Sequence, residues 1–291
     1  MIKVRGIERA SIAVRNLDDG IAFMERTFGA KLKQIVPPGK DGYSYAPLWF
    51  GDSTLELLCP VVSDSLIDRF IRKRGTGLYH VSLRVDSLKE AIRGLAEEGY
   101  QIAGEHVVGP LENFAHWEEQ YIPPRLSAGV LYSVVEHSEP ENPRPIAHEV
   151  PADIQVKNVH AISIACGDKE GAWLFYSRVL GAKLLYDLHD EEERIDNLAF
   201  SLGANRMAFL VPHDQESVTG KRLATRGPGL HHLSLEVEDL DQAMAWVEKQ
   251  GVRTLGKRVL RPWGDYSVWQ ECFLHPKDTL GVMFCLLQLT K

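Results

Sequence analysis

Apolar residues along the chain recur first at period two and then at helical spacing, four times over. Ser11 to Arg15 alternates as a strand does, and Leu17, Ile21, Met24 and Phe28 then follow at the i, i+4, i+7, i+11 spacing of one buried helical face. Gly29 supplies a left-handed stop. Val81 to Val85 opens a second module of the same kind. It has a Ser87/Glu90 capping box, an apolar face of Leu88, Ile92 and Leu95, and a stop at Gly99. Gly181 and Gly251 close the corresponding helices further on. After each helix come short strands separated by turn residues: Tyr43 to Phe50, Ser53 to Cys59, Trp117 to Ile122 and Gly129 to Val135. Each module reads as strand, helix and then about three strands.

The modules are repeats. Residue n corresponds to residue n + 152 without a gap: Phe28-Gly29-Ala30-Lys31-Leu32 returns as Leu180-Gly181-Ala182-Lys183-Leu184, and Arg74 to His80 returns as Arg226 to His232. A weaker offset of 71 takes Arg9 to His80, Val14 to Val85 and Ile21 to Ile92, so each half is itself doubled. The pattern predicts an α+β protein of four βαβββ modules in two tandem domains. The first domain spans 1–138 (modules 1–75 and 76–138) and the second 156–291 (modules 156–226 and 227–291). Between them, 139–155 is a linker whose start, Glu139 to Pro145, is proline-rich and polar.

Composition narrows the field. The 291 residues suffice for two cores, and 44% hydrophobic content is that of a globular protein. A net charge of −7 gives no footprint for nucleic acid or an anionic membrane surface. No apolar run approaches the ~20 residues of a membrane span, and the N-terminus leads into a strand, so a soluble, cytoplasmic protein is expected. Cys59, Cys166, Cys272 and Cys285 lie in apolar stretches without CxxC spacing, as buried thiols of a reducing compartment would. The basic run Arg69 to Arg74 reads as the solvated face of a short helix or as a site for phosphate or a CoA nucleotide. Asp190 to Glu193 reads as a solvated loop.

Several blocks carry a resemblance. Ile12-Ala13-Val14, Leu55 to Pro60, Gly75 to His80 and Gly129-Val130-Leu131, with Gly227 to Leu233 and Phe273 to Lys277, resemble the vicinal oxygen chelate superfamily. Glyoxalases, methylmalonyl-CoA epimerases, extradiol dioxygenases and bleomycin resistance proteins belong to it, and the second half is similar to the epimerase-like pattern. The resemblance implies glyoxalase-like domains with cupped mixed sheets. It also implies that metal-dependent members take one ligand from each of four positions in a pair of modules. Those positions are Arg9, Glu56, His80 and Ser133 in the first half, and Ala161, Ala208, His232 and Cys285 in the second.

Neither set suits a divalent ion, since a guanidinium has no lone pair to give. Three readings of the first half stand. His116, Glu118 and Gln120 share one strand face, and if it is the inner one, Glu56, His80 and His116 form a two-histidine, one-carboxylate metal set. Alternatively, Arg9 pairs with Glu56 and acts as a built-in cation that anchors a substrate oxyanion, while His80 or Glu56 moves a proton. The third reading turns Arg9 outward and leaves His80 as a core histidine. His116, Glu118, Gln120, Ser133 and His232 are expected to touch substrate, and Cys285 to be a small hydrophobe. His160, one residue before a ligand position, faces away on a regular strand.

The resemblance and these residues together imply an isomerase, lyase or dioxygenase-type enzyme acting on an oxygenated or CoA-linked metabolite, with a depleted metal centre. The alternative is a metal-free binding or resistance protein. No cofactor is expected; the alternative is one divalent Fe, Mn, Co, Ni or Zn. The expected partner is a small molecule, with no nucleic acid or membrane, and either a monomer or a homodimer is open.

Overall fold

In the computed structural model, residues 1–112, 114–138, 154–203 and 205–291 are described. The linker expected at 139–155 lies almost wholly outside them.

The first module comprises β1 (Val4–Ala13), α1 (Leu17–Phe28), β2 (Lys31–Leu32), β3 (Tyr43–Phe50) and β4 (Ser53–Pro60), and α2 (Leu66–Arg74) follows it. The second comprises β5 (Gly77–Val85), α3 (Leu88–Glu97), β6 (Ala103–Leu111), β7 (Phe114–Ile122) and β8 (Leu131–His137). The third has β9 (Val156–Ala165), α4 (Lys169–Trp173), β10 (Lys183–Asp190), β11 (Ile195–Leu202) and β12 (Asn205–Pro212), followed by α5 (Val218–Arg226). The fourth has β13 (Gly229–Val237), α6 (Leu240–Lys249), β14 (Thr254–Leu260), β15 (Val268–Leu274) and β16 (Met283–Thr290).

Local chemistry sets these elements. Asn16 caps α1 by accepting from the Asp19 amide, Ile21, Met24 and Phe28 are buried, and Gly29 ends the helix at φ 68°. Ser87 caps α3 through the Glu90 amide, but the buried face is Leu88, Ala91, Gly94 and Leu95, with Ile92 only partly covered. The face is rotated because the small residues Ala91 and Gly94 allow closer packing than a row of large ones. The third helix departs from the expected form, since after α4 the chain widens into a π-helix over Leu174–Val179. The first strand runs from Val4 to Ala13, earlier than the predicted Ser11 to Arg15, and its parallel ladder to β4, from Ala10–Leu55 to Ala13–Leu58, ends with it.

Each half forms one eight-stranded mixed sheet, in the orders β2-β3-β4-β1-β5-β8-β7-β6 and β10-β11-β12-β9-β13-β16-β15-β14. Compaction groups the modules differently. Among the described residues, one compact unit holds 1–8, 80–138 and 161–231, and the other holds 9–79, 154–160 and 232–291. Within each unit, a tight turn of one half lies against the first strand of the other half. A Cβ on Gly203 (φ 61°) would stand 1.8 Å from the Arg5 carbonyl oxygen, and one on Gly51 (φ 55°) would stand 2.0 Å from that of Lys157. Only glycine meets both the left-handed backbone and the close approach. Next to these turns the Ile7 amide donates to Asn205 Oδ1 at 2.8 Å, and the Val159 amide donates to Ser53 Oγ at 2.9 Å. All four residues of one contact map onto the other by the same offset of 152, so the repeat extends from the modules to the way they pack. Among the described residues no helix is long and apolar enough to cross a membrane.

Candidate functional site

In the unit built around the first module, β1 and β4 run parallel with Ser11 beside Glu56. Arg9 Nη1 donates to Glu56 Oε1 at 2.9 Å and Ser11 Oγ donates to Glu56 Oε2 at 2.7 Å. Arg9 is 3% exposed and Glu56 6%. The guanidinium is therefore buried and paired with the carboxylate, which excludes the outward-facing reading. A single Nη1 contact carries the pair.

In the other unit, β5 and β8 pair in parallel with Ser82 opposite Ser133, and β7 places Tyr121 opposite Ser133. His80 Nε2 lies 3.1 Å from Ser82 Oγ and 3.4 Å from Ser133 Oγ, and Ser133 donates to Ser82 at 2.9 Å. Glu119 Oε1 stands 4.0 Å from His80 Nε2, while its Oε2 accepts from the Trp117 indole at 3.2 Å. The Tyr121 ring is 6.2 Å from the imidazole. A buried histidine is thus surrounded by two hydroxyls, a carboxylate and an aromatic wall.

The β7 face was expected one residue out of phase. Trp117, Glu119 and Tyr121 share the face of Ser133, because Tyr121 is the residue registered against it. His116 and Glu118 lie on the opposite face, where they pair with each other at 3.4 Å, and Glu118 also meets His106 at 3.2 Å. Gln120 is buried, but on that opposite side. Strand parity thus takes His116 away from His80, and the metal set of Glu56, His80 and His116 is not assembled.

In the second half, His232 meets the edge of Phe273 at 5.1 Å. Trp269 donates to Glu271 Oε2 at 2.7 Å, and Arg258 Nη1 lies 3.5 Å from Glu271 Oε1. Cys285 is buried beside Tyr266, Trp269 and Leu287. Burial, and then the charge of Glu271, push its thiol well above the ordinary range, so it offers no thiolate. His160 packs edge-on against Tyr266 and Trp269, 5.7 Å from each, with Nδ1 3.7 Å from Glu236 Oε2. The Glu236 carboxyl is held down to about 2 by the neighbouring His160 imidazole first, with help from Asn158 and Lys157 against the opposing effect of burial. Ala161 and Ala208 contribute buried methyl groups.

The inherited metal positions do not fit a divalent ion. A guanidinium already occupies the cation's place at Glu56, and the second half offers two alanines and a neutral thiol. The sequence did carry a signal for the overlooked Glu119 and Glu271. Trp-x-Glu occurs at Trp117 to Glu119 and again at Trp269 to Glu271, at the repeat offset.

A model of the Glyoxalase/Bleomycin resistance protein/Dioxygenase superfamily matches residues 9–116 and 160–269. The chain is 30% identical over 129 residues to mitochondrial methylmalonyl-CoA epimerase of Homo sapiens, covering 44% of this chain and 71% of that enzyme. It is 32% identical over 100 residues to the Bos taurus enzyme, covering 34% of this chain; the matched region spans 57% of that relative, a little over half. A mutant of 4-hydroxymandelate synthase from Streptomyces coelicolor superposes over 99% of this chain and 93% of that one, with a TM-score of 0.75 at 14% identity, which is a likeness of fold.

Proposed function

The chain belongs to the glyoxalase/bleomycin resistance protein/dioxygenase superfamily, and we propose that it is an isomerase-type enzyme that moves a proton next to the carbonyl of a small oxygenated metabolite, of the CoA-thioester class. The observation that carries this reading is the buried His80 cluster. His80 Nε2 faces Ser82 and Ser133, with Glu119 at 4.0 Å. In this role the imidazole exchanges a proton at Nε2 by way of the Ser82 and Ser133 hydroxyls that contact that nitrogen and orient the ring, and Glu119 stabilises the imidazolium that forms. Trp117 holds Glu119 in place through its second oxygen. Glu56 is a poor candidate for the base, because Arg9 and Ser11 already engage both of its oxygens. Arg9 and Glu56 are proposed instead to replace the inherited cation by a fixed charge. No step is routed through a metal.

The epimerase relatives support the substrate class. The test is hydrogen exchange. One stereoisomer of methylmalonyl-CoA is incubated with the protein in D2O, and label at C2 is followed by mass spectrometry. Exchange is expected in the wild type, and His80→Ala is expected to slow it by at least about a hundredfold. Glu119→Gln should lower kcat more than it raises KM.

A binding protein is the second reading, and the alanines at positions 161 and 208 favour it. Calorimetric binding of the thioester without exchange would select it.

A further inference from the structure

Three adjacent strand ends of the third module carry a side-chain cluster that the proposed reaction does not use. In β10 and β11, His189 is directly opposite Asp196. In β11 and β12, Asp196 is opposite Val211, so His213, two residues beyond Val211, returns to the same face. The His213 amide bonds to the Arg194 carbonyl at 2.9 Å and continues the ladder to that point. As a result Asp196 Oδ1 lies 2.8 Å from His189 Nδ1 and 3.0 Å from His213 Nε2, with the two rings stacked at 4.2 Å.

We propose that His189, Asp196 and His213 form a site for a divalent transition metal of the zinc class, separate from the inherited ligand positions. The ligand atoms lie within 4.8 Å of one another. Bonds of about 2.0–2.1 Å in a tetrahedral site put ligand atoms about 3.3 Å apart, so each Asp196–histidine distance opens by a few tenths of an ångström and the two stacked rings turn to aim both nitrogens at one ion. Two imidazoles and one carboxylate are the donors that zinc, nickel and cobalt accept, with water completing the shell.

The surroundings are those of a ligand set. The second nitrogen of His189 lies 3.2 Å from Glu191 Oε1, a carboxylate placed to accept the Nε2–H when Nδ1 exchanges its Asp196 contact for an ion. Lys169 Nζ holds Asp196 Oδ2 at 2.9 Å and Asp187 at 2.9 Å, which leaves Oδ1 turned toward both rings. The turn between β10 and β11 is fixed by Asp190, whose Oδ1 accepts from the amides of Glu192 and Glu193 at 3.1 Å each. The run of acidic residues is therefore a hydrogen-bonded turn carrying the site. The offset of 152 takes His189, Asp196 and His213 to Pro37, Ser44 and Val61. The donors belong to one half only and are not a feature shared by the repeat.

The test is a titration of the untagged full chain with Zn2+ alone. One ion per chain is expected, with a rise in melting temperature, and both the affinity and the rise should fall at least about tenfold and vanish, respectively, in His189→Gln and His213→Gln. Wild-type protein titrated with Co2+ should lose the ring proton signals of His189 and His213 before those of His106 and His116; this keeps the test decisive if a variant does not fold. Unchanged zinc affinity in both variants, first broadening at His106 and His116, or no binding at millimolar zinc would overturn the site.

Discussion

The two halves put the same backbone to different use around one pair of histidines. By the offset of 152, His80, Ser82, Glu119, Tyr121 and Ser133 correspond to His232, Ser234, Glu271, Phe273 and Cys285. Both halves keep the Trp–Glu hydrogen bond that holds the inward carboxylate. Around His80 the neighbours are hydroxyls, whereas around His232 Tyr121 has become Phe273 and Ser133 has become Cys285, with a thiol kept neutral by burial. Ser234 and Glu271 remain, so the two sets differ by one phenolic oxygen and by one oxygen exchanged for sulfur. Chemistry in this fold rests on a few atoms mounted on a repeated frame.

The largest expected effect lies where the halves differ in charge. Arg9 and Glu56 form a buried ion pair, and their counterparts are Ala161 and Ala208. Arg9→Met leaves the Glu56 carboxylate buried with only Ser11 from this set, and should destabilise the protein by about 3–5 kcal/mol. The double change Arg9→Ala with Glu56→Ala, which copies the second half into the first, should cost less than Arg9→Met because no uncompensated charge remains. Urea denaturation of the variants decides this. An Arg9→Met protein that unfolds at the wild-type midpoint would show that the pair does not hold the charge.

Much of this contrast could be read from the chain. The offset of 152 and the helix caps at Ser87 and Gly29 are periodic or local features, and the structure contains them; the positions Arg9, Glu56, His80 and Ser133 came from the family resemblance. The phase of β7 was not legible. His116, Glu118 and Gln120 alternate as regularly as Trp117, Glu119 and Tyr121, and only the pairing of Tyr121 with Ser133 decides which row faces inward. The repeat itself held the answer, because Trp-x-Glu recurs and His116-x-Glu118 has Val268-x-Gln270 as its counterpart. The His189, Asp196 and His213 cluster was hidden for another reason: its members come from three strands at spacings of seven and seventeen residues, which resemble no local metal motif.

Next in size is the loss of the indole clamp. Trp117→Phe removes the indole donor from Glu119, leaves the carboxylate beside His80 Nε2 at 4.0 Å, and should cost about 1–3 kcal/mol. Trp269→Phe should cost less although its bond is shorter, because Glu271 keeps the Arg258 guanidinium at 3.5 Å. Equal losses in parallel thermal melts would show that the arginine does not compensate. Ser133→Cys, which writes the second-half residue beside His80, should leave stability nearly unchanged and lower exchange activity roughly tenfold, the value of about one hydrogen bond to the imidazole. Full activity in that variant would remove Ser133 from the orienting set.

The smallest expected effect appears on acidification and is confined to one half. His160 lies beside Glu236 in the second half, and the corresponding residues of the first half are Glu8 and Arg84, so the histidine–carboxylate arrangement is not repeated. Glu236 has its carboxyl lowered from 4.5 to about 2. Between these values the unfolded chain binds the proton that the folded chain refuses, and stability therefore rises with pH across that window. The contribution is fully present above 4.5 and is lost as pH falls through about 2. Glu236→Gln should lower stability at pH 7 and shrink the difference between pH 7 and about pH 3, leaving the shares of Asp86, Asp196, Asp214 and Asp278, whose carboxyls are also lowered by their partners. Urea midpoints at the two pH values measure both changes. If the variant loses as much stability on acidification as the wild type, the His160 neighbour does not distinguish the folded carboxylate from the unfolded one, and the acid response belongs to other groups.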